Sequence, residues 1–215
     1  MRIGITQRVE VIPSYGERRD CLDQQWFRFL ESLGFTPVPV PNQLYDVKQW
    51  ALDLGLEGLV LSGGNDLAHL PDASNAAVER DRTEAQLLAW AQEHAVPVIG
   101  VCRGLQMMYV WLGGRLEPVS GHVAVRHSLL PAVQATDVFA RFTEVNSFHN
   151  WGITQSGVPA SVIPQCLSPE GDIEAFRHAS LPWAGIMWHP EREVPFSESD
   201  KLLFNHILKG EPCKH

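Results

Sequence analysis

The chain has 215 residues, 45% of them apolar and 20% charged, which is enough for one domain with a sizeable buried core. A formal net charge of −8 argues against nonspecific nucleic-acid binding, which needs a basic surface. No apolar run reaches membrane-spanning length, so a membrane partner is not expected.

Residues 2–7 read as a first strand; the N-terminus lacks the long apolar segment and small-residue cleavage site of a signal peptide, so a cytoplasmic location is the expectation. Residues 20–33 read as an amphipathic helix ending at Gly34, 36–40 as a short strand, and 43–54 as a helix. Residues 58–61 form a buried strand that runs into Ser62-Gly63-Gly64, followed by a long helix over 76–94 and a strand over 96–101. A further helix covers 105–112. This alternation predicts a mostly parallel sheet covered on both faces, with ligands beyond the carboxyl ends of its strands. The second half is richer in strands joined by turns, over 115–129, 141–148, 160–167, 173–177 and 183–188, with a hairpin turn at 168–172. Residues 197–209 close the chain as a helix, with Ser197 as its N-cap. No repeat or interdomain linker interrupts residues 1–215, so a single domain is expected.

The four cysteines, Cys21, Cys102, Cys166 and Cys213, form no C-x-x-C pair, so neither a zinc site nor a redox dithiol is suggested, and structural disulfides are not expected. Cys21 and Cys166 read as small apolar residues, and Cys213 as part of a frayed tail. Cys102 differs. It stands at a sharp strand-to-helix turn with Gly100 and Gly104 on either side, the pattern of a nucleophile elbow. The turn holds the thiol away from its own backbone, and the glycines are read as leaving room for a substrate carbonyl. The following helix points its N-terminus at the sulfur and favours thiolate.

Acyl transfer also needs an oxyanion hole. The backbone N–H of Arg103 is one natural donor and that of Gly64, on the glycine loop, the other; the plain alternative for Gly63-Gly64 is a turn. Of nine histidines, His189 is the best base, because in an extended Trp188-His189-Pro190-Glu191 segment Glu191 lies on the same side and can hold its tautomer. His149 is the second candidate. His122 and His127 lack a partner pattern, and no histidine shows a metal-ligand spacing, so neither metal nor cofactor is expected. Gln106 lies one helical turn beyond Cys102 and can set its amide beside the nucleophile. Glu174 alternates with apolar neighbours, a position open to solvent or to a substrate ammonium group. Arg8, Tyr15, Arg18 and Arg19 follow the first strand's carboxyl end, where arginines can hold phosphates and Tyr15 or Trp26 can stack a base. The alternative there is a solvated loop and helix start.

The order Cys102, His189, Glu191 and the G-x-C-x-G-x-Q elbow resemble the class I glutamine amidotransferase-like superfamily. Arg80-Asp81 with Glu84, Cys102-Arg103-Gly104 and Ile173-Glu174-Ala175 resemble its γ-glutamyl-γ-aminobutyrate hydrolase-like branch (peptidase C26). The first segment, with Thr6-Gln7-Arg8 and Arg19-Asp20-Cys21-Leu22-Asp23, is similar to the γ-glutamyl-CDP-amidate hydrolases of capsular phosphoramidate synthesis. The resemblance implies a flavodoxin-like α/β three-layer sandwich with an antiparallel-strand-rich C-terminal half. It also implies hydrolysis of a small-molecule γ-glutamyl amide through a γ-glutamyl thioester. In that scheme Cys102 attacks, His189 transfers protons, Glu191 orients His189, and Gly64 and Arg103 donate N–H groups. Gln106, Ser147, Phe148, His149 and Glu174 would surround the glutamyl moiety. One departure stands out: many amidotransferases have proline after the glycines, where this chain has Asn65. A γ-glutamyl-amine hydrolase, a glutaminase subunit passing ammonia to a synthetase, and a silent binding protein are the alternatives. The sequence leaves a monomer or a homodimer open.

Overall fold

The computed structural model describes residues 1–71 and 73–210, so Cys213 lies outside the described residues. Strand β1 (Arg2–Thr6) is followed at once by a hairpin, β2 (Arg8–Val11) and β3 (Arg18–Cys21), and then by helix α1 (Gln25–Ser32). The expected helix over 20–33 therefore starts five residues late. Residues 18–21 pair antiparallel with 8–11 instead. The Asp20 carboxylate is used up in accepting the backbone N–H and side-chain amide of Asn42, at 3.0 and 2.7 Å. Next come β4 (Thr36–Val40), α2 (Val47–Asp53) and β5 (Gly58–Leu61). Helix α2 starts later than the periodicity suggests because Asp46 caps it, accepting from the Gln49 N–H at 2.9 Å.

Helix α3 (Val78–Glu93), strand β6 (Val98–Val101) and helix α4 (Arg103–Trp111) complete the first half. The predicted run over 115–129 breaks into β7 (Glu117–Pro118) and β8 (Val123–Ser128). After β9 (Leu130–Pro131) come β10 (Glu144–Phe148), β11 (Trp151–Gly152), β12 (Val162–Leu167), β13 (Ile173–His178) and β14 (Trp183–Ile186). Helix α5 (Glu198–Lys209) ends the described chain, and its Ser197 cap accepts from the Asp200 N–H.

The main sheet runs β4-β1-β5-β6-β14-β13-β12-β9. Its first five strands are parallel to their neighbours and its last three join antiparallel. Alternation along the strands divides the core into two layers. Ile3, Ile5, Val60, Ile99 and Val101 face Trp26, Phe29 and Leu30 of α1 and Leu203, Phe204 and Leu208 of α5. Leu59, Leu61 and Val98 face Ala51 of α2, Leu87, Leu88 and Ala91 of α3, and Leu105 and Met108 of α4. The result is an α/β three-layer sandwich of flavodoxin type. No helix among the described residues is long and apolar enough to cross a membrane. Outside the main sheet, β8 and β10 form a two-stranded ribbon beside the carboxyl ends of the parallel strands.

The elbow glycines serve packing rather than substrate access, which corrects the sequence expectation. A Cβ at Gly104 would lie 2.0 Å from the Leu61 carbonyl oxygen. A Cβ at Gly100 would lie 2.5 Å from the Met108 sulfur. Helix α4 thus rests directly on the backbone of β5, and that contact sets where its first turn, and with it Cys102, can sit. Gly104→Ala must push helix and strand apart, and we expect a loss of about 3 kcal/mol of unfolding free energy, read from urea melts of the two proteins.

Candidate active site

Cys102 joins β6 to α4 with φ 51° and ψ −107°, a left-handed backbone that a side chain rarely adopts. The Cys102 N–H donates to the Ile186 carbonyl at 2.8 Å, so the strained residue is held by the neighbouring strand. Its side chain is buried at the floor of a cavity of about 690 Å³.

His189 follows β14. Its Nδ1 lies 2.7 Å from Glu191 Oε1, and both side chains are buried. The pair meets through a tight turn, not through the extended run the sequence suggests, since Pro190–Arg192 is a single 3-10 turn. Two residues whose role the sequence did not reveal hold the imidazole in place. The Asn146 amide clasps the His189 backbone from both sides, accepting from its N–H at 2.8 Å and donating to its carbonyl at 2.9 Å. Gly63 leaves the space the ring occupies, because a Cβ there would lie 2.7 Å from His189 Cε1 and 3.6 Å from Cys102 Cβ. Glu191 occupies Nδ1, which leaves His189 Nε2 for the Cys102 thiol.

The glycine loop is shaped from behind by Arg80, whose buried guanidinium donates to the carbonyls of Ser62, Gly63 and Gly64. With three successive carbonyls drawn toward Arg80, the loop keeps a fixed peptide orientation beside the cavity. Arg80 is in turn bound to Glu84 at 2.9 Å, and Glu84 and Asp81 bind the Arg103 side chain. The motif Arg80-Asp81 with Glu84 was visible in the sequence; its role as a brace was not. Asn65, where proline was the expected residue, has φ 61°. Its amide accepts from the Val9 N–H at 2.7 Å and donates to the Val9 carbonyl at 2.9 Å, tying the loop to the first hairpin.

Gly64, Cys102, Arg103, Gln106, Phe148 and His149 line the cavity together. The Gln106 amide is fixed by donating to the Trp151 carbonyl at 2.9 Å. Phe148 stands edge-on to His189, with ring centroids 5.6 Å apart, and carries the Arg192 guanidinium on its face. Ser147 and Glu174 are placed differently from the expectation. Ser147 is turned into the protein and donates to the His122 carbonyl at 2.8 Å, because alternate residues of β10 point to opposite sides. Glu174 is buried behind His149 and faces neither solvent nor the cavity. Arg8 and Arg18 line an adjoining cavity of about 550 Å³ that shares Gly64 and Asn65 with the first. Their charges are already matched, Arg8 by Glu10 at 2.6 Å and Arg18 by Glu79 at 2.5 Å. Arg19 pairs with Glu17 and takes no part in either cavity wall, its guanidinium donating to Tyr15 instead.

Burial opposes ionisation of Cys102, but the His189 imidazolium, with help from His149 and the Arg103 N–H, holds its pKa below the ordinary thiol value. Burial likewise opposes charge on His189, and the Cys102 thiolate and Glu191 overcome it and raise the imidazole pKa. The two shifts describe one thiolate–imidazolium pair. Cys166 shows the contrast: with no cation beside it, burial pushes its pKa up to about 12.

The Peptidase C26 family model matches residues 2–191. The chain is 33% identical to a γ-glutamyl-CDP-amidate hydrolase of Campylobacter jejuni over 197 residues, covering 90% of this chain and 91% of that protein. It is 26% identical to a γ-glutamyl-γ-aminobutyrate hydrolase of Escherichia coli O157:H7, covering 93% and 89%. Among solved structures, a glutamine amidotransferase of Thermotoga maritima superposes with a TM-score of 0.64 at 16% identity, over 99% of this chain and 86% of that one.

The ion pair predicts the pH dependence of alkylation. The rate at which iodoacetamide modifies Cys102 should rise with an apparent pKa below 9.0, the ordinary thiol value. In His189→Ala the largest contribution opposing burial is lost, and the same midpoint should move to higher pH.

Proposed function

The chain belongs to the Peptidase C26 family, and on that premise we propose that it hydrolyses a γ-glutamyl amide with Cys102 as nucleophile, His189 as acid and base, and Glu191 as the group that orients His189. The observation that carries this reading is the buried His189–Glu191 pair at 2.7 Å, set against Cys102 at the floor of the cavity.

In the proposed reaction the Cys102 thiolate attacks the γ-carbonyl carbon, and the carbonyl π electrons move onto oxygen. Backbone N–H groups of Gly64 and Arg103 receive that charge. The intermediate collapses, the C–N bond breaks, and the nitrogen leaves with the proton from His189 Nε2. A γ-glutamyl thioester remains. Water then gives a proton to His189 and attacks the thioester carbon, the C–S bond breaks, and glutamate and the thiolate are restored. Gln106, Phe148 and His149 are the side chains placed to meet the glutamyl group, with Ser147 and Glu174 supporting them from behind.

As substrate we infer a nucleotide conjugate, γ-glutamyl-CDP-amidate, whose leaving group is cytidine diphosphoramidate, for capsular phosphoramidate synthesis in the cytoplasm. Support comes from the named activity of the 33% identical relative and from the adjoining cavity that carries Arg8 and Arg18. A second reading, a γ-glutamyl amine such as γ-glutamyl-γ-aminobutyrate, is favoured by a specific observation: Arg8 and Arg18 are both already paired with carboxylates.

Glutamate release from γ-glutamyl-CDP-amidate, γ-glutamyl-γ-aminobutyrate and glutamine, measured separately beside Cys102→Ala, decides between them. We expect the nucleotide conjugate to turn over fastest and the variant to be inactive. Loss of one charge-assisted hydrogen bond in Arg8→Ala or Arg18→Ala should cut kcat/KM for the conjugate by roughly 10- to 100-fold and leave the amine unchanged. Preference for the amine would keep the mechanism and discard the nucleotide. Equal rates in Cys102→Ala and the parent would remove the nucleophile.

A further inference from the structure

Behind the active-site wall lies a cluster whose histidines His122 and His127 have no part in the proposed reaction. Glu174, on β13, is 1% exposed, and neither of its carboxylate oxygens has a hydrogen bond. Three imidazoles surround it: His122 Nδ1 at 3.5 Å from Oε1, His149 Nε2 at 3.6 Å from Oε1, and His127 Nε2 at 3.7 Å from Oε2. All three nitrogens are buried and unpartnered. A buried carboxylate and three buried imidazole nitrogens without hydrogen bonds are costly together unless a proton or a metal cation is shared between them.

The tautomers narrow what that is. His127 Nδ1 is 3.0 Å from the Ser128 carbonyl, and His149 Nδ1 is 3.1 Å from the Trp151 carbonyl. A carbonyl only accepts, so both Nδ1 atoms carry the hydrogen, which leaves Nε2, the nitrogen facing Glu174, as the ligand atom of each ring. Imidazole nitrogens and a carboxylate that converge in this way can share one metal cation. Histidine held by a backbone carbonyl through its other nitrogen is also the usual way a metal-binding ring is fixed. His122 Nε2, 4.0 Å from Asp172 Oδ2, faces a carboxylate on its far side. The spacing agrees: ligand bonds of about 2.0–2.1 Å in a tetrahedron put neighbouring donor atoms about 3.4 Å apart.

The local backbone is bent to make this meeting. Residues 122 and 127 are an odd number apart, so a regular strand would send them to opposite faces. Ala124 takes φ 55°, and the pairing of β8 with β10 shifts register beside it, between Ser147 and Phe148. That bulge brings His122 and His127 to the same side, within 4.8 Å of Glu174 and of each other.

We propose that His122, His127 and Glu174 form a binding site for one divalent first-row transition ion, zinc by its nitrogen and oxygen ligand set, which pins the β8–β10 ribbon to β13. His149 stands beside the ion and separates it from Cys102. The ion takes no part in the proposed bond-making steps, and its binding is read without substrate or turnover.

The test uses the full chain carrying Cys102→Ala, so that the active-site thiolate cannot bind metal. After dialysis against a chelator, cobalt(II) is added and its visible absorption and bound stoichiometry are measured, with zinc(II) as competitor. We expect one ion per chain, displaced by zinc. Adding His122→Gln or His127→Gln should weaken binding roughly tenfold or more, whereas exposed His69→Gln should leave it unchanged. A chelated parent that melts at the same temperature with and without zinc, or one that binds no cobalt, overturns the proposal, as does unchanged affinity in His127→Gln. The parent's own titration and melt settle the question even where a histidine variant does not fold.

Discussion

The buried guanidinium of Arg80 is the constraint on which the site depends. It is fully buried and donates to three carbonyls of one loop and to Glu84. Glu84 is surrounded by two arginines, and although burial works against its charge, Arg103 and Arg80 keep its pKa below the ordinary carboxylate value. The chain Gly64–Arg80–Glu84–Arg103 therefore links the glycine loop, helix α3 and the first residue of helix α4. Loop and elbow are fixed relative to each other by charges that never meet solvent. Removing one partner would leave another charge buried and alone, which is why such a network holds one geometry firmly while adding little net stability.

The same balance between burial and pairing recurs at Cys102. Burial alone would make it inert, as it does Cys166. The difference is an imidazole within reach, and that imidazole is placed by Gly63, Asn146 and Glu191 acting on its ring, its backbone and its Nδ1. The wall at the hairpin end is fixed in a similar way. Asn65 uses one side-chain amide to bond both sides of Val9, so the loop that follows Gly64 is held by hydrogen bonds where a proline ring would hold it by covalent restriction.

Most of the parallel half was legible because its signals are local. The strand 58–61 is uniformly apolar and the elbow lies between small residues; in the closing helix the cap at Ser197 is the expected one, whereas the cap at Asp46 was missed. The hairpin over 8–21 was not legible, since Arg18-Arg19-Asp20-Cys21 carries no strand alternation and is held by partners far along the chain, Asn42 and Glu79. Ser147 and Glu174 were misjudged for a related reason: which face of a strand meets a cavity is decided by tertiary pairing and not by the residue itself. His122 and His127 gave no signal at all, because a bulge at Ala124, invisible to any two-residue periodicity, turns them the same way.

Cys102 stands at the N-cap of α4, and the Arg103 N–H beside it favours the thiolate. The consequence is one of charge conservation. In the attacking form proposed here, one negative charge on sulfur stands beside one positive imidazolium. In the proposed attack that negative charge travels from sulfur to the carbonyl oxygen, a displacement of bond-length order inside a cavity wall whose dipoles do not turn. The site then has the same net charge before, during and after each bond is made, so water outside it has little to rearrange, and the reaction is insulated from an acidic protein surface that would otherwise repel every anion it handles.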